Sequence, residues 1–315
     1  MPSATSWLRR WEPVLIVLLL AAGAWSARLS PYYLSLDQIF DSSRNFVIPG
    51  LLALGLVPVV LTGEIDLSLG SILAVGTILL AKLALLHVPL WAALVALLVV
   101  GALLGYLNGL LVARFGLPSL AVTLGTMGAY RGLAFIVGTE EGYTEFDPGY
   151  LWLGETAVRG LVPVALLLFV AVVVAFVMAV HFTVFGRRLF AIGASLDASR
   201  FTGLRVTRIK IQTYVLSGVV SALAALVWIG QYGSARADNA DSVILLVITA
   251  VVLGGVDING ARGTVLGVTL SVLLLGTLTN GMGLANVPGP TQTVVFGALL
   301  VTSVLVSNLV RWRTT

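Results

Sequence analysis

The 315 residues are 58% hydrophobic and only 10% charged, with a mean hydropathy of +1.04. A soluble domain carries about 25% charged residues, so a water-soluble globule is excluded and an integral membrane protein is implied. There is no cysteine, hence no disulfide and no thiolate metal site, and the net charge of +4 reads as Lys and Arg in cytoplasmic loops rather than as nucleic-acid binding.

Apolar runs of about twenty residues, the length of a bilayer-crossing helix, recur along the chain and favour helices over a barrel. The predicted fold class is all-α, a polytopic helical membrane protein. Ten spans are expected, at about 11–27, 45–62, 68–86, 90–113, 119–138, 160–181, 211–230, 242–256, 264–283 and 291–310. The first run follows Arg9 and Arg10 and ends in small residues, as a signal peptide does. It continues into a polytopic chain and is read as an uncleaved span.

The connection after the second run is Gly63-Glu64-Ile65-Asp66-Leu67-Ser68-Leu69-Gly70-Ser71. Charges between two apolar runs cost at least a few kcal/mol each unless paired or hydrated. Asp66 and Ser68 can cap the third span by accepting free backbone N–H bonds. Capping leaves Glu64 unexplained. In the fifth span Arg131 needs a counter-charge, a hydrated cavity or a route to the interface, whereas Lys82 can snorkel to the outer interface. Gly70, Gly76, Gly101, Gly105, Gly125 and Gly128 suit close helix packing in lipid. A near echo of the polar connection comes 191 residues after Gly63, in Gly254-Gly255-Val256-Asp257-Ile258-Asn259-Gly260. A glycine-bounded acid at matching places in two halves of a hydrophobic chain is a pointer to a transport path.

The charges set the orientation. Twelve basic residues, among them Arg114, Arg187, Arg188, Arg200, Arg205, Arg208, Lys210 and Arg262, fall on one side of the ten-span scheme, against Arg28, Arg44, Arg159 and Arg236 on the other. Both termini are therefore expected in the cytoplasm. Two connections are long. The external one, 139–159, holds Glu140, Glu141, Glu145, Asp147 and Glu155 among aromatics, and is either an interfacial belt or a docking platform for a soluble partner. The internal one, 182–210, is basic and long enough for short helical turns near 189–192 and 198–201, the second capped by Asp197. It is read as a cytoplasmic contact element. No Gly-x-x-x-x-Gly-Lys-Ser/Thr segment, no His-Glu-x-x-His and no nucleophile–base arrangement occurs. An enzyme is not expected, nor a metal site or cofactor. His87 and His181 sit at the ends of apolar runs and read as interfacial.

Several strings resemble the permease subunits of ribose-type sugar importers of the ATP-binding-cassette class. The 63–71 stretch resembles their Gly-Gly-Ile-Asp-Leu-Ser-Val-Gly-Ser signature. Further matches are Pro118 to Thr126 with Arg131-Gly132-Leu133, and Val252 to Ile258 running to Gly263-Thr264. Phe185-Gly186-Arg187-Arg188 through Gly193 to Gly203-Leu204 resembles the loop such permeases insert into an ATPase groove. Within that family, 233–239 and 281–287 are most similar to rhamnose-type and then autoinducer-2-type permeases. The chain departs at Glu64, where a glycine is usual, at Ser195-Leu196, and at Arg262.

The resemblance implies one permease domain over 1–315 in a bacterial inner membrane, forming the path for a rhamnose-like or related monosaccharide. It implies ATPase subunits, a second permease chain (identical or homologous) and an extracytoplasmic sugar-binding protein as partners. Glu64, Asp66, Ser68, Arg131, Asp257 and Asn259 are the candidates for path lining or span capping. Gly186, Arg187, Gly193, Ala194, Ser195, Asp197 and Gly203 are those for ATPase coupling, and Glu140, Glu141, Glu145 and Asp147 those for binding-protein docking. The buried acids leave one alternative, a proton-coupled secondary transporter of a small polar solute.

Overall fold

The computed structural model describes residues 4–29, 33, 35, 38, 42–139, 142–158 and 162–312, with side chains described from 12 to 305 of these. Glu140, Glu141 and Arg159 lie outside the described residues. Among the described residues thirteen α-helices follow one another: α1 Ala4–Leu29, α2 Val47–Leu61, α3 Leu69–Leu85, α4 Leu90–Ala113, α5 Ser119–Val137, α6 Pro148–Glu155, α7 Val164–Val177, α8 Val184–Ala194, α9 Leu196–Phe201, α10 Val206–Tyr232, α11 Val243–Leu253, α12 Val265–Leu284 and α13 Gly289–Trp312. A π-turn, Met178–Phe182, extends α7. The strands β1 Ala157–Val158 and β2 Val162–Pro163 form a small antiparallel hairpin.

Among the described residues six helices are long and apolar enough to cross a membrane, and α2, α3, α11 and the Gly289–Leu305 stretch of α13 are further apolar helical segments. These ten coincide with the ten expected spans. The connections alternate between two ends of the bundle. At one end Ile65 N donates to Ser119 Oγ, Ala261 N to Leu61 O and Val265 N to His181 Nε2. At the other, Tyr143 pairs with Ala235 and Tyr150 OH donates to Val88 O at 2.7 Å. We call these the inner and outer ends, after the orientation expected from the charges.

Every residue of α2 is buried, so this helix is the axis of the fold. An apolar helix without a polar face belongs inside a bundle. Helix α10 packs along both α2 and α4. The seam with α4 is built from small residues: a Cβ on Gly101 would meet Gly218 O and Ala222, and one on Gly109 would meet the Ile211 backbone. Close backbone approach of this kind replaces the hydrophobic driving force that lipid does not supply. The α4 positions buried there, Ala93, Leu97, Gly101, Gly105, Asn108 and Val112, form one stripe. By contrast Gly125 and Gly128 of α5 face open space, so the expected packing role is not met within a single chain.

Helix α11 has only 11 residues, about 17 Å of rise, too short to cross a hydrocarbon core of about 30 Å alone. The irregular segment 233–242 before it makes up the difference. It starts at the outer end beside Tyr143, passes Thr77 of α3, where Asn239 Nδ2 donates to Thr77 Oγ1 at 3.3 Å, and reaches Gly70, whose Cβ position lies 2.9 Å from Ala240 O. Non-helical backbone at such depth is tolerated where protein satisfies its polar groups.

Candidate functional site

The two glycine-bounded acids lie on loops that touch. Helix α2 ends at Leu61, and the chain turns through Gly63 at φ +78. The second loop turns through Gly260 at φ +87 and sends Ala261 N to Leu61 O at 3.0 Å. Positive φ is costly for a residue with a Cβ. Space is a second reason for glycine here, since a Cβ on Gly260 would lie 2.8 Å from Gly63 N and one on Gly63 would lie 3.3 Å from Asn259 O. Gly193 of α8 seats on the same joint, and a Cβ there would collide with both Leu61 O and Ala261 N. Three segments distant in sequence thus share one backbone junction at the inner end.

Asp66 is fully buried. Its Oδ1 accepts from Ser68 N at 2.9 Å and Ser68 Oγ at 2.7 Å, and its Oδ2 accepts from Ser217 Oγ of α10 at 2.8 Å. Ser68 Oγ accepts from Asn108 Nδ2 of α4 at 2.8 Å, and Tyr130 OH of α5 lies 3.1 Å from Asn108 Oδ1 and 3.0 Å from Leu104 O. One polar chain therefore ties α3, α4, α5 and α10 together beside the joint. Glu64 pairs with Lys210 Nζ, the two side chains 16% and 11% exposed. That pairing holds the first loop to the foot of α10.

Asp66 closes a turn onto Ser68 at the start of α3, but Ser68 itself makes no capping bond because its hydroxyl is engaged by Asp66 and Asn108. Asp257 does not cap α12. Its Oδ1 accepts from Asn259 N at 3.0 Å and Asn259 Nδ2 at 3.2 Å, while Thr264 caps α12 by accepting from Gly267 N at 2.9 Å. The physical reason is distance along the chain, since the loop continues to Thr264 before the helix begins. Asp257 therefore shapes its own loop.

Arg131 lies apart, in the outer half of α5. It meets the descending segment three ways: NH1 donates to Ala237 O at 2.5 Å and Asn239 O at 2.7 Å, and NH2 pairs with Asp241 Oδ1 at 2.7 Å. This is the counter-charge that a cation inside a span requires. Nearby, Arg236 Nε and NH2 donate to the two carboxylate oxygens of Asp238 at 2.9 and 3.0 Å. Lys82 reaches the outer end, with Nζ 5.3 Å from the Tyr143 ring centroid, a cation–π contact.

The coupling-loop candidates form two short helices. Gly186 packs against the Val180 backbone, Arg187 and Ala194 are exposed, and Gly203 has φ +80. Ser195, not Asp197, caps α9 by accepting from Ala198 N at 3.2 Å. Asp197 is one residue inside the helix, where its carboxylate instead makes a loose 3.9 Å pair with Arg200. Of the docking candidates, Glu145 and Asp147 are exposed at the outer end, just before α6. Burial raises the Tyr150 phenol of that helix.

Sequence reasoning missed Lys210 as the partner of Glu64, Ser217 as a ligand of Asp66, and Asp241 as the partner of Arg131. One signal was present: the chain has only two lysines, and an acid in place of glycine at an apolar junction calls for one of them.

A family model described as branched-chain amino acid transport system / permease component matches residues 38–304. The autoinducer 2 import system permease protein LsrD of Klebsiella pneumoniae subsp. pneumoniae is 34% identical over 304 residues, 95% of this chain and 92% of that protein. Its counterpart from Enterobacter sp. strain 638 is 34% identical over 305 residues, 95% and 93% of the two chains. That of Escherichia coli O9:H4 is 33% identical over 301 residues, 94% and 91%. No solved structure matches the chain.

Proposed function

The chain belongs to the branched-chain amino acid transport system permease family, and from that premise we propose that it forms the translocation path of an ATP-binding-cassette importer for a sugar or a sugar-like solute such as autoinducer 2. Rhamnose-like monosaccharides and autoinducer 2 are the two candidate cargoes. The names of the similar permeases favour the second. An extracytoplasmic binding protein delivers the solute, with Glu140, Glu141, Glu145 and Asp147 in its docking platform. ATPase subunits engage α8 and α9, through the segment from Gly186 and Arg187 to Gly203, at the inner end. A second permease chain, identical or homologous, completes the path, and the open face of α5 at Gly125 and Gly128 suits close approach of another helix. The membrane is the bacterial inner membrane, with both termini in the cytoplasm.

The observation that carries this reading is the joint at Gly193. A push on α8 from the cytoplasm meets Leu61 O and Ala261 N together, and so loads the ends of both halves of the bundle. Beside the joint, the bonds of Asp66 carry movement of the first loop into α4, α5 and α10. In this reading Asp66 has a structural part, its Oδ1 accepting from Ser68 N and its Oδ2 from the Ser217 hydroxyl.

The test is purification of the tagged chain from its own membrane in mild detergent. An ATPase and a binding protein should accompany it, and the ligand released from that binding protein names the cargo. ATP inside proteoliposomes facing the correct way should then drive uptake. A chain that purifies without an ATPase and transports with a proton gradient alone contradicts the proposal.

A further inference from the structure

At the inner end, the start of α10, the end of α9 and Tyr106 of α4 border an open groove of about 610 Å³. Arg200, Arg205 and Arg208 line it together with Thr207, Gln212 and Tyr106, and no carboxylate does. Arg200 has only its loose pair with Asp197, and Arg205 and Arg208 form no ion pair among the described residues. Positive-inside bias accounts for arginines on this side of the molecule. It does not account for three of them converging on one concavity.

The surface beside the groove is apolar. Val95, Val99, Leu103 and Leu107 of α4 are 57%, 51%, 59% and 42% exposed. Their four-residue spacing puts them on one helical face. That face differs from the stripe buried against α10 and runs from the level of Tyr106 towards the outer end. A polar basic groove is therefore continuous with an apolar track about 18 Å long.

We propose that this groove binds the headgroup of an anionic phospholipid, whose acyl chain lies along Val95 to Leu107. Guanidinium groups present paired N–H donors that match phosphate oxygens, and basic pockets between spans on the cytoplasmic side suit such headgroups. An acidic surface of a soluble subunit would complement the arginines, but leaves the apolar track uncovered. The inference needs only that the groove lie at the membrane–water boundary, and does not depend on the cargo.

The test uses the purified full-length chain in detergent, titrated with phosphatidylglycerol or phosphatidylcholine and read by native mass spectrometry. Phosphatidylglycerol should bind in preference. Each basic residue near anionic lipid is worth roughly fivefold, so Arg205→Gln with Arg208→Gln should cut that preference by about 25-fold. Arg187→Gln with Arg188→Gln removes the same charge from α8, outside the groove, and should leave the preference standing. Thr207→Glu puts a carboxylate in the groove and should abolish the preference without removing an arginine. It decides the matter should the double variant fail to run as one species.

Equal loss in the two arginine pairs would reduce the effect to bulk charge and overturn the site. Unchanged preference in Thr207→Glu would also overturn it. Displacement of phosphatidylglycerol by millimolar inorganic phosphate would mark a free-phosphate site instead. A groove variant that keeps its lipid preference but loses a co-purifying ATPase would assign the arginines to a protein contact.

Discussion

Asp66 shows how a buried carboxyl is held in a membrane bundle. Three donors from two serines satisfy it, and one of those serines is held in turn by Asn108. Asn at 66 keeps one acceptor oxygen for the two Ser68 donors, and Ser217 can reverse its hydroxyl to accept from the new amide. Asp66→Asn should therefore fold and retain most uptake. Asp66→Ala leaves three donors unsatisfied, at about 1–3 kcal/mol each, and should cost expression or melting temperature. Comparing uptake and stability of the two variants also separates the readings: a coupling proton on Asp66 would make Asn as damaging as Ala. Glu64 and Lys210 form a different case. Breaking a buried pair costs about 3–5 kcal/mol, whereas replacing both partners by apolar residues is often neutral. With some exposure remaining, Glu64→Leu or Lys210→Met alone should lower stability by about 2–3 kcal/mol. The double variant should recover most of it. A double variant no better than the worse single one would show that the two side chains do not work as a pair.

Among the elements, α8 and the 233–242 descent carry the most specific expectations. Gly193 touches both loops of the joint through backbone atoms, which cannot retract as a flexible side chain can. Gly193→Ala should therefore displace α8 and uncouple ATP hydrolysis from uptake. Substitution at the exposed neighbour Ala194 should bear on ATPase association instead, read by co-purification. The descent depends on Arg131, and Lys cannot offer the planar fork that reaches two carbonyls and a carboxylate at once. Because the chain has no cysteine, single cysteines placed at Ser234 and Ala240 report this cleanly. In the parent, a membrane-impermeant maleimide should label position 234 and spare the buried 240. Arg131→Lys should open 240 to labelling, and unchanged protection there would remove Arg131 from its anchoring role. The ten spans were legible because length and apolarity alone define a crossing helix. The descent was not, because its buried backbone is satisfied by tertiary partners such as Arg131 that no local pattern announces. Helix α6 was equally hidden, a short segment in a polar loop fixed by contacts such as Tyr150 to Val88.

For the molecule as a whole, the sequence echo at Gly63 and Gly254 marked segments that meet in space, but the two acids do different work. Asp66 faces inward to α10, and Asp257 folds back on Asn259. Similar strings identify corresponding places in two halves without fixing equal environments, because the surrounding helices differ. The charge asymmetry has a larger consequence. Basic groups, including Arg200, Arg205 and Arg208, collect at the inner end, whereas Glu145 and Asp147 stand exposed at the outer end before α6. An acidic outer platform should steer a partner with a complementary basic face, and exposed charges act over a screening length of about 8 Å at physiological salt and about 30 Å at 0.01 M. Neutralising Glu140, Glu141, Glu145 and Asp147 together should therefore slow association with the binding protein most at low ionic strength. The difference from the parent should shrink as salt rises, while dissociation changes little, since rim charges act mainly on the encounter. Surface plasmon resonance on nanodisc-embedded transporter, at several salt concentrations, measures both rates. A variant whose association rate equals the parent's at the lowest salt would move the docking surface away from this loop. The β1–β2 hairpin and the α6 face carrying Trp152 would then be the next surfaces to probe.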